Sequence, residues 1–170
     1  PNAKETFLSL ASAHLAMGQS WESLRILDAL VEQYPDFHET HLNLSDLHAQ
    51  RGYFEAALRH AEYAVKKLPE TYQPIFNLLT AIEGCKGVNT ALERAKSLVD
   101  GLRPPHSGHV WSIIASLHQS AGDFDQAHFA LKNSIENGNN PGYVFLHMLK
   151  DQGGGLEKID ALADQIGKMI

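Results

Sequence analysis

The sequence has little cysteine, a deficit of positive charge and no long apolar run, and each shortage excludes a class of protein. Cys85 is the only cysteine among 170 residues, so the chain cannot form an internal disulfide or a zinc site built from several thiolates. Its 14 lysines and arginines are outnumbered by 20 aspartates and glutamates, which gives a formal net charge of -6. Because nucleic-acid affinity rests largely on clustered cations, nucleic acid is not an expected partner.

No run of about 18 apolar residues is present, so the sequence predicts no membrane span. The chain begins with Pro1-Asn2, without a methionine or a signal-like segment, and we interpret it as a fragment or a processed product. With 170 residues, of which 44% are hydrophobic, the chain is long enough to form one well-packed domain over residues 1–170. Nothing in the sequence fixes the compartment, and a soluble cytoplasmic protein is the favoured expectation.

The sequence also lacks the common catalytic motifs. There is no glycine-rich phosphate loop, no nucleophile elbow and no His-Glu-x-x-His helix. Gly153-Gly154-Gly155 has no Lys-Ser/Thr after it and is interpreted as a flexible turn. The adjacent Lys86 could favour the thiolate form of Cys85, but an inert cysteine in a turn is the preferred interpretation. We therefore expect no catalytic residue, no cofactor and no enzymatic activity.

Ten histidines raise the alternative of a metal site. His38 and His41 stand three residues apart near the start of a predicted helix, as do His106 and His109, and this spacing can place two imidazoles on one metal. No third ligand is evident in sequence beside either pair. We therefore predict solvated helix starts and no metal site.

What the sequence does contain is a repeat. Several landmarks recur at a spacing of 34 residues: Gly18 and Gly52, Pro35 and Pro69, His14 and His48, Leu10 and Leu44. A fixed period of this length indicates a tandem array, in which each unit buries its apolar face against its neighbours. Function is then expected on a surface and not in a pocket.

Each unit has two apolar stripes with helical spacing, separated by a glycine turn and commonly ended by a proline, which predicts a helical hairpin. The units are predicted at about 4–37, 38–71, 72–106 and 107–141, followed by a degenerate hairpin at 142–170. The third unit has Gly84-Cys85-Lys86-Gly87 in place of a single glycine, so we expect its turn to be displaced and to lack the usual turn glycine. Residues 101–108, rich in proline and glycine, are expected to form a longer connection.

The residues at fixed repeat positions resemble the tetratricopeptide repeat (TPR) family over about residues 4–137. These residues are Phe7, Leu10, Ala11, His14, Ser23, Leu27, Leu30 and Pro35 in the first copy; His41, Leu44, Ser45, His48, Ala57, Ala61, Ala64 and Pro69 in the second; and Trp111, Ile114, Ala115, His118, Ala127, Leu131 and Ser134 in the fourth. The resemblance implies an all-α fold, a right-handed α-α superhelix (TPR solenoid) of about five helical hairpins. It also places His14, His48 and His118 where the family has a tyrosine between helices, so partly buried, hydrogen-bonded imidazoles are expected.

In this family the first helices of the hairpins form a concave, partner-binding groove. The resemblance places the following candidate partner-binding residues there: Leu8, Ser12, Glu39, Leu42, Asn43, Asp46, Gln73, Phe76, Asn77, Thr80, Ser112 and Ser116. No lysine or arginine is among them, which disfavours the acidic chaperone tails that some family members bind. Asn43 and Asn77 lie one period apart and can pair with the backbone of an extended peptide; the alternative is two ordinary solvent-facing asparagines.

The sequence therefore predicts a non-enzymatic scaffold that binds an extended protein or peptide segment in a groove. One alternative is a regulatory or substrate-recruiting domain of a larger enzyme, such as a transferase beyond Ile170, because Met169-Ile170 ends a predicted helix on apolar residues where a polar cap is usual. Another is a self-assembling module that associates through its terminal helices.

Overall fold

The computed structural model of the chain describes residues 3–140. Within this range all regular structure is helical: α1 Ala3–Ala16, α2 Ser20–Gln33, α3 His38–Gln50, α4 Phe54–Lys67, α5 Tyr72–Lys86, α6 Val88–Val99, α7 His106–Ser120 and α8 Phe124–Glu136. The predicted all-α architecture of helical hairpins is confirmed. The predicted hairpin at 142–170, with Gly153-Gly155 and Met169-Ile170, lies outside the described residues.

The helices belong to two compact units. The N-terminal unit is Pro1–Ala91 and the C-terminal unit is Leu92–Ile170, and the boundary falls inside α6. In the N-terminal unit α1 packs on α2, α2 on α3, and α3, α4 and α5 on one another; in the C-terminal unit α7 packs on α8. Each second helix of the N-terminal unit is therefore shared between its own hairpin and the next, as expected of a repeat array.

Glycines in the left-handed conformation make the turns inside the hairpins. Gly18, Gly52 and Gly122 have φ of 74°, 77° and 76°, a region that costs other residues about 1 kcal/mol or more. The third turn differs from expectation. α5 continues through Gly84 and Cys85 to Lys86, and Gly87, whose φ is 86°, follows as its C-cap. The expectation that the third unit lacks its turn glycine is therefore wrong: the turn is one residue later than the period predicts.

The connection before α7 is also shorter than expected. α6 ends at Val99 and α7 begins at His106, so residues 100–105 connect them and Ser107 and Gly108 are helical. A Cβ at Gly108 would lie 2.6 Å from the Asn137 carbonyl oxygen and 2.8 Å from that of Ser134. The Ser134 hydroxyl donates to the Gly108 carbonyl at 2.7 Å. Gly108 thus permits close packing of α7 and α8, so the prediction that it belongs to the connection is wrong.

Small residues determine the close packing around α4. Ala57, Ala61 and Ala64 are 0% exposed, which lets α3 and α5 approach the α4 backbone. The Ser45 hydroxyl donates to the Ala57 carbonyl at 3.0 Å. These contacts place α3 and α5 side by side, with their remaining faces free to form a surface.

Candidate functional site

One side of α3 carries a polar stripe. Glu39, Asn43 and Asp46 are half-buried and Gln50 is exposed, whereas Leu44 on the opposite side is fully buried. Gln50 Nε2 donates to Asp46 Oδ2 at 2.9 Å. Among the described residues the Asn43 amide has no hydrogen-bond partner, so its donor and acceptor groups are available to a ligand.

Asn77 on α5 has a different environment. It is only 3% exposed, its Nδ2 donates to the Leu42 carbonyl at 3.2 Å, and its Oδ1 accepts from Gln73 Nε2 at 2.8 Å. The two asparagines are thus one repeat apart in sequence but not equivalent. Asn77 links α5 to α3 and holds the spacing of these helices, while Asn43 faces outward.

Apolar side chains lie beside the amides. Leu42 and Phe76 are half-buried, as is Thr80, and Gln73 is exposed. The Phe76 ring stacks against Tyr72, with 5.8 Å between centroids and 26° between planes. A ligand on this face would therefore meet both hydrogen-bonding groups and apolar surface.

The predicted residues of α1 contribute less chemistry. Leu8 is half-buried and Ser12 is exposed. The Ser12 hydroxyl donates to the Leu8 carbonyl at 3.1 Å, so its proton is used within the helix and only its acceptor lone pairs remain free.

The predicted residues of α7 belong to the C-terminal unit. Ser112 is 4% exposed and donates to the His109 carbonyl at 2.7 Å. Ser116 is half-buried and donates to the Ser112 carbonyl at 3.4 Å. The structure therefore groups the candidates of α1, α3 and α5 in one compact unit and places the two serines in the other.

The α3 stripe is acidic. Glu39 and Asp46 lie on it, and the stripe carries no lysine or arginine. Glu39 Oε2 lies 3.4 Å from His38 Nδ1. An acidic stripe favours association with neutral or basic segments, mainly through the association rate and selectivity.

The opposite side of the same hairpin holds a cluster that the sequence analysis missed. His41 Nε2 donates to the Pro35 carbonyl at 2.9 Å, so the Nδ1 of a neutral His41 is an acceptor and His60 Nδ1, 3.1 Å away, donates to it. Tyr63 stacks on His41 with 3.9 Å between ring centroids. His48 stacks on His60 at 5.7 Å. Three imidazoles are therefore packed together between α3 and α4.

Comparison with solved structures identifies the fold. MamA residues 41 to the end, from Desulfovibrio magneticus RS-1, superpose with a TM-score of 0.64 and 16% identity, over 79% of this chain and 75% of that chain. A thermophilic TPR protein of Thermus thermophilus has a TM-score of 0.63 and 16% identity, with 98% of each chain covered. A MamA structure from MSR-1 has a TM-score of 0.60 and 22% identity, over 78% and 75% of the two chains.

The chain has the TPR fold. The resemblance found in the sequence is confirmed at the level of the fold, and identities of 16% to 22% carry no more than that. No protein-family model and no curated protein matches the chain.

The three histidines at the tyrosine position of the TPR repeat have different environments. His14 is half-buried, and its Nδ1 donates to Gln19 Oε1 at 2.6 Å. His48 is half-buried, and its Nδ1 has no hydrogen-bond partner in the described part of the chain. His118 is buried, with Nδ1 3.7 Å from Asp123 Oδ2. The expected hydrogen bond is thus present for His14 but not at Nδ1 of His48.

Burial lowers several histidine pKa values. It lowers the pKa of His48 and of His118, although Asp28 and Asp123, respectively, oppose the effect. The largest change is at His60, where burial, reinforced by His41, His48 and Arg59, lowers the pKa to about 4. Burial also raises the pKa of Asp28, while His48 opposes that shift. The lowered pKa values of His48 and His60 favour their neutral forms near neutral pH.

A repeat-by-repeat comparison could have found His60. His41 and His60 occupy the positions of Phe7 and Ile26 one period earlier, and two histidines that replace apolar residues at neighbouring positions indicate a polar contact in an apolar site. His60 and Ile26 lie outside the repeat positions compared above, so this contact was not predicted from the sequence.

The histidine pairs and Cys85 were the sequence candidates for metal or thiol chemistry. Within residues 3–140 no group of at least three His, Cys, Asp or Glu side chains has a geometry that could hold a metal. His41 is only 9% exposed and bonds to His60 and to the Pro35 carbonyl, so the prediction of a solvated helix start is wrong for His41. His38 is half-buried beside Glu39. Burial and the Glu55 carboxylate raise the pKa of Cys85 although Lys86 opposes this shift, and the higher pKa favours the unreactive thiol.

None of the helices in the described range has the length and hydrophobicity of a membrane span.

Proposed function

We propose that the face formed by α1, α3 and α5 of the N-terminal unit binds an extended, non-acidic segment of a protein partner, without catalysis. The observation that carries this proposal is the half-buried Asn43 amide, which has no hydrogen-bond partner among the described residues. A carboxamide offers one donor group and one acceptor, so it can pair with a peptide backbone whatever the side chains of the ligand are.

The surroundings of Asn43 define the chemistry of the ligand. Glu39 and Asp46 lie on the same side of α3, and their charges repel an acidic segment while favouring a basic or neutral one. Leu42 and Phe76 supply apolar contact. The proposed ligand is therefore an extended peptide with aliphatic side chains and lysine or arginine.

Asn77 has a positioning role in this proposal. The sequence analysis expects both asparagines to contact the ligand, but the Asn77 amide makes two internal hydrogen bonds. Its bond to the Leu42 carbonyl holds α3 against α5, so Asn43 alone is assigned the backbone contact. Replacing Asn77 would remove a buried hydrogen bond and cost about 1–3 kcal/mol of stability, which makes Asn77 unsuitable as a test of binding.

The remaining predicted contacts are divided between the two compact units. Leu8, Ser12, Gln73 and Thr80 stay predicted contacts within the N-terminal unit. Ser116 stays a predicted contact of the C-terminal unit, while Ser112 is buried and supports the helix.

Selection from a random-peptide display library with the 170-residue chain tests the proposal. We expect enrichment of lysine, arginine and aliphatic residues and depletion of aspartate and glutamate. Asn43→Ala should weaken binding of a selected peptide about tenfold, measured by fluorescence anisotropy, because a partner group loses its hydrogen bond. Asn89→Ala is the matched control, since Asn89 is an exposed asparagine on α6. Enrichment of acidic peptides, or unchanged affinity for Asn43→Ala, would contradict the proposal.

A further inference from the structure

An arginine and two aromatic rings meet on the surface of the N-terminal unit, where the first two hairpins contact each other. The guanidinium carbon of Arg51, which follows α3, lies 3.6 Å from the centroid of the Trp21 ring on α2 and 5.6 Å from that of the Tyr53 ring. Trp21 is 66% exposed and Tyr53 is 50% exposed. Stacking on Trp21 thus fixes the plane of a cation beside two rings that remain open to a ligand.

The repeat does not require a tryptophan at this position. Trp21 lies three residues after the turn glycine Gly18, and the residues at the same distance after the turn glycines of the later hairpins are polar: Glu55, Thr90 and Asp125. Glu55 is exposed although the first hairpin precedes it. The position therefore lies on the surface inside the array, and the exposure of Trp21 does not depend on what precedes α1.

The Arg51 guanidinium has no acidic partner among the described residues. None of its N–H groups donates a hydrogen bond within residues 3–140, and Nη1 is also shielded from solvent. A guanidinium can only donate hydrogen bonds, so what it lacks is an acceptor. Because a partly desolvated, unpaired ion costs free energy, a carboxylate supplied by a ligand would stabilise it.

The charges around Arg51 favour one carboxylate over a strongly acidic segment. Arg59 and Asp28 act on the same histidine as Arg51, so a second cation and a carboxyl group lie in this region. Glu22 and Asp28 line a groove of about 460 Å³ beside Trp21. These two acidic residues, in a chain with a net charge of -6, repel a run of acidic residues or phosphates.

We propose that Trp21, Arg51 and Tyr53 form a second interaction site, which binds an aspartate or glutamate of a protein partner with apolar residues on either side of it. The guanidinium donates to the carboxylate, and the planar fork of a stacked arginine suits this pairing. Trp21 and Tyr53 belong to different hairpins, so the ligand meets apolar surface at two places and an internal residue fits better than a chain end. A single carboxylate among apolar residues distinguishes this ligand from the basic or neutral segment proposed for the α1, α3 and α5 face.

NMR titration with short peptides tests this site. The probe is acetyl-Gly-Phe-Glu-Leu-Gly-amide, and the matched control has glutamine in place of glutamate, which keeps the shape but removes the charge. We expect saturable shift changes at the Trp21 indole N–H and the Arg51 Nε–H with the glutamate peptide, and binding about tenfold weaker with the glutamine peptide. The indole N–H of Trp111, in the C-terminal unit, should not shift.

Variants of the chain separate specific recognition from general charge. Arg51→Gln should weaken binding of the glutamate peptide about tenfold, and Trp21→Ala should weaken it about fivefold because the guanidinium plane is no longer fixed. Arg59→Gln removes an exposed arginine of α4 and is the matched control, with an expected change below about twofold. Asn43→Ala should have no effect, which separates this site from the proposed peptide face, and circular dichroism checks that each variant is folded.

Three results would overturn the inference. One is the absence of saturable shift changes with the glutamate peptide. Another is equal binding of the glutamine peptide, or an equal loss of affinity in Arg59→Gln and Arg51→Gln. The third is binding of Gly-Phe-Gln-Leu with a free C-terminus but not of the blocked glutamate peptide, because the ligand would then be a chain end. The peptide comparison uses the parent chain, so it decides the question even where a variant does not fold.

Discussion

At the residue scale, the imidazole cluster depends on protonation state. His41 is fixed by its bond to the Pro35 carbonyl, so its Nδ1 can accept only while the ring is neutral. A proton added to His41 Nδ1 would place two N–H groups against each other at 3.1 Å. Arg59 and Arg51 add positive charge near His48, and Asp28 is the acidic group that opposes it. The packing therefore selects neutral rings.

Acidification is expected to destabilise the N-terminal unit. The His60 pKa is about 4 in the folded chain and about 6.5 when unfolded. The stabilisation of the folded state by neutral His60 is thus fully present above about pH 6.5 and is lost as the pH falls towards about 4. The lowered pKa of His48 acts in the same direction within this unit, while the raised pKa of Asp28 acts in the opposite one. The lowered pKa of His118 adds the same pH dependence to the C-terminal unit. We expect a loss of about 1–2 kcal/mol in the free energy of unfolding between about pH 6.5 and 4.5.

Urea unfolding across this pH range measures the effect. His60→Gln should flatten the pH dependence of the free energy of unfolding. His38→Gln should not change this pH dependence, because His38 is a half-buried histidine outside the cluster. An NMR titration that gives His60 a pKa near 6.5 would remove the basis for the prediction.

Gly84 is the second residue-scale prediction. It is an exposed position inside α5, yet a Cβ there would overlap the Phe54 ring at the start of α4. Gly84→Ala gains about 1 kcal/mol of helix propensity but overpacks this contact at a cost of about 1–3 kcal/mol. We expect net destabilisation of the parent chain. In a Phe54→Ala background the same change should stabilise by about 1 kcal/mol. Equal effects in both backgrounds, measured by thermal unfolding, would refute this explanation.

At the element scale, α3 combines the two polar features of the N-terminal unit. One side carries Glu39, Asn43 and Asp46, and the other carries His41 and His48. The helix boundaries depend less on side-chain caps than on tertiary contacts and glycine turns. Asp123 is the one N-cap residue with a side-chain bond among those described, accepting from Gln126 N at 3.2 Å.

Stability is expected to be lowest around residues 84–108. α5 extends beyond the period to Gly87, a connection without helix occupies residues 100–105, and the boundary between the compact units falls inside α6. Nearest-neighbour interfaces carry most of the stability of a repeat array. Amide hydrogen exchange should therefore be faster in the helices that flank 84–108 than in α3 and α4. Equal protection would show that the longer α5 compensates for the irregular period.

At the scale of the whole molecule, the sequence determined the repeat and the type of each element. The spacing of 34 residues, the apolar stripes and the turn glycines predicted the helical hairpins, and Gly18, Gly52 and Gly122 adopt the left-handed conformation that such turns require. These signals are local, because a glycine turn and a helical apolar period can be recognised without knowing what packs against them.

Only the tertiary structure decided which residues of similar type have different roles. Asn43 and Asn77 are one period apart, but the Leu42 carbonyl and Gln73 engage only Asn77. Leu10 and Leu44 are also equivalent in sequence, yet α2 covers only Leu44. The sequence around Gly108 predicts a linker, but the glycine is required because the α8 backbone approaches it closely. The physical reason is the same in each case: burial and hydrogen bonding depend on a neighbour supplied by another helix, which the local sequence does not specify.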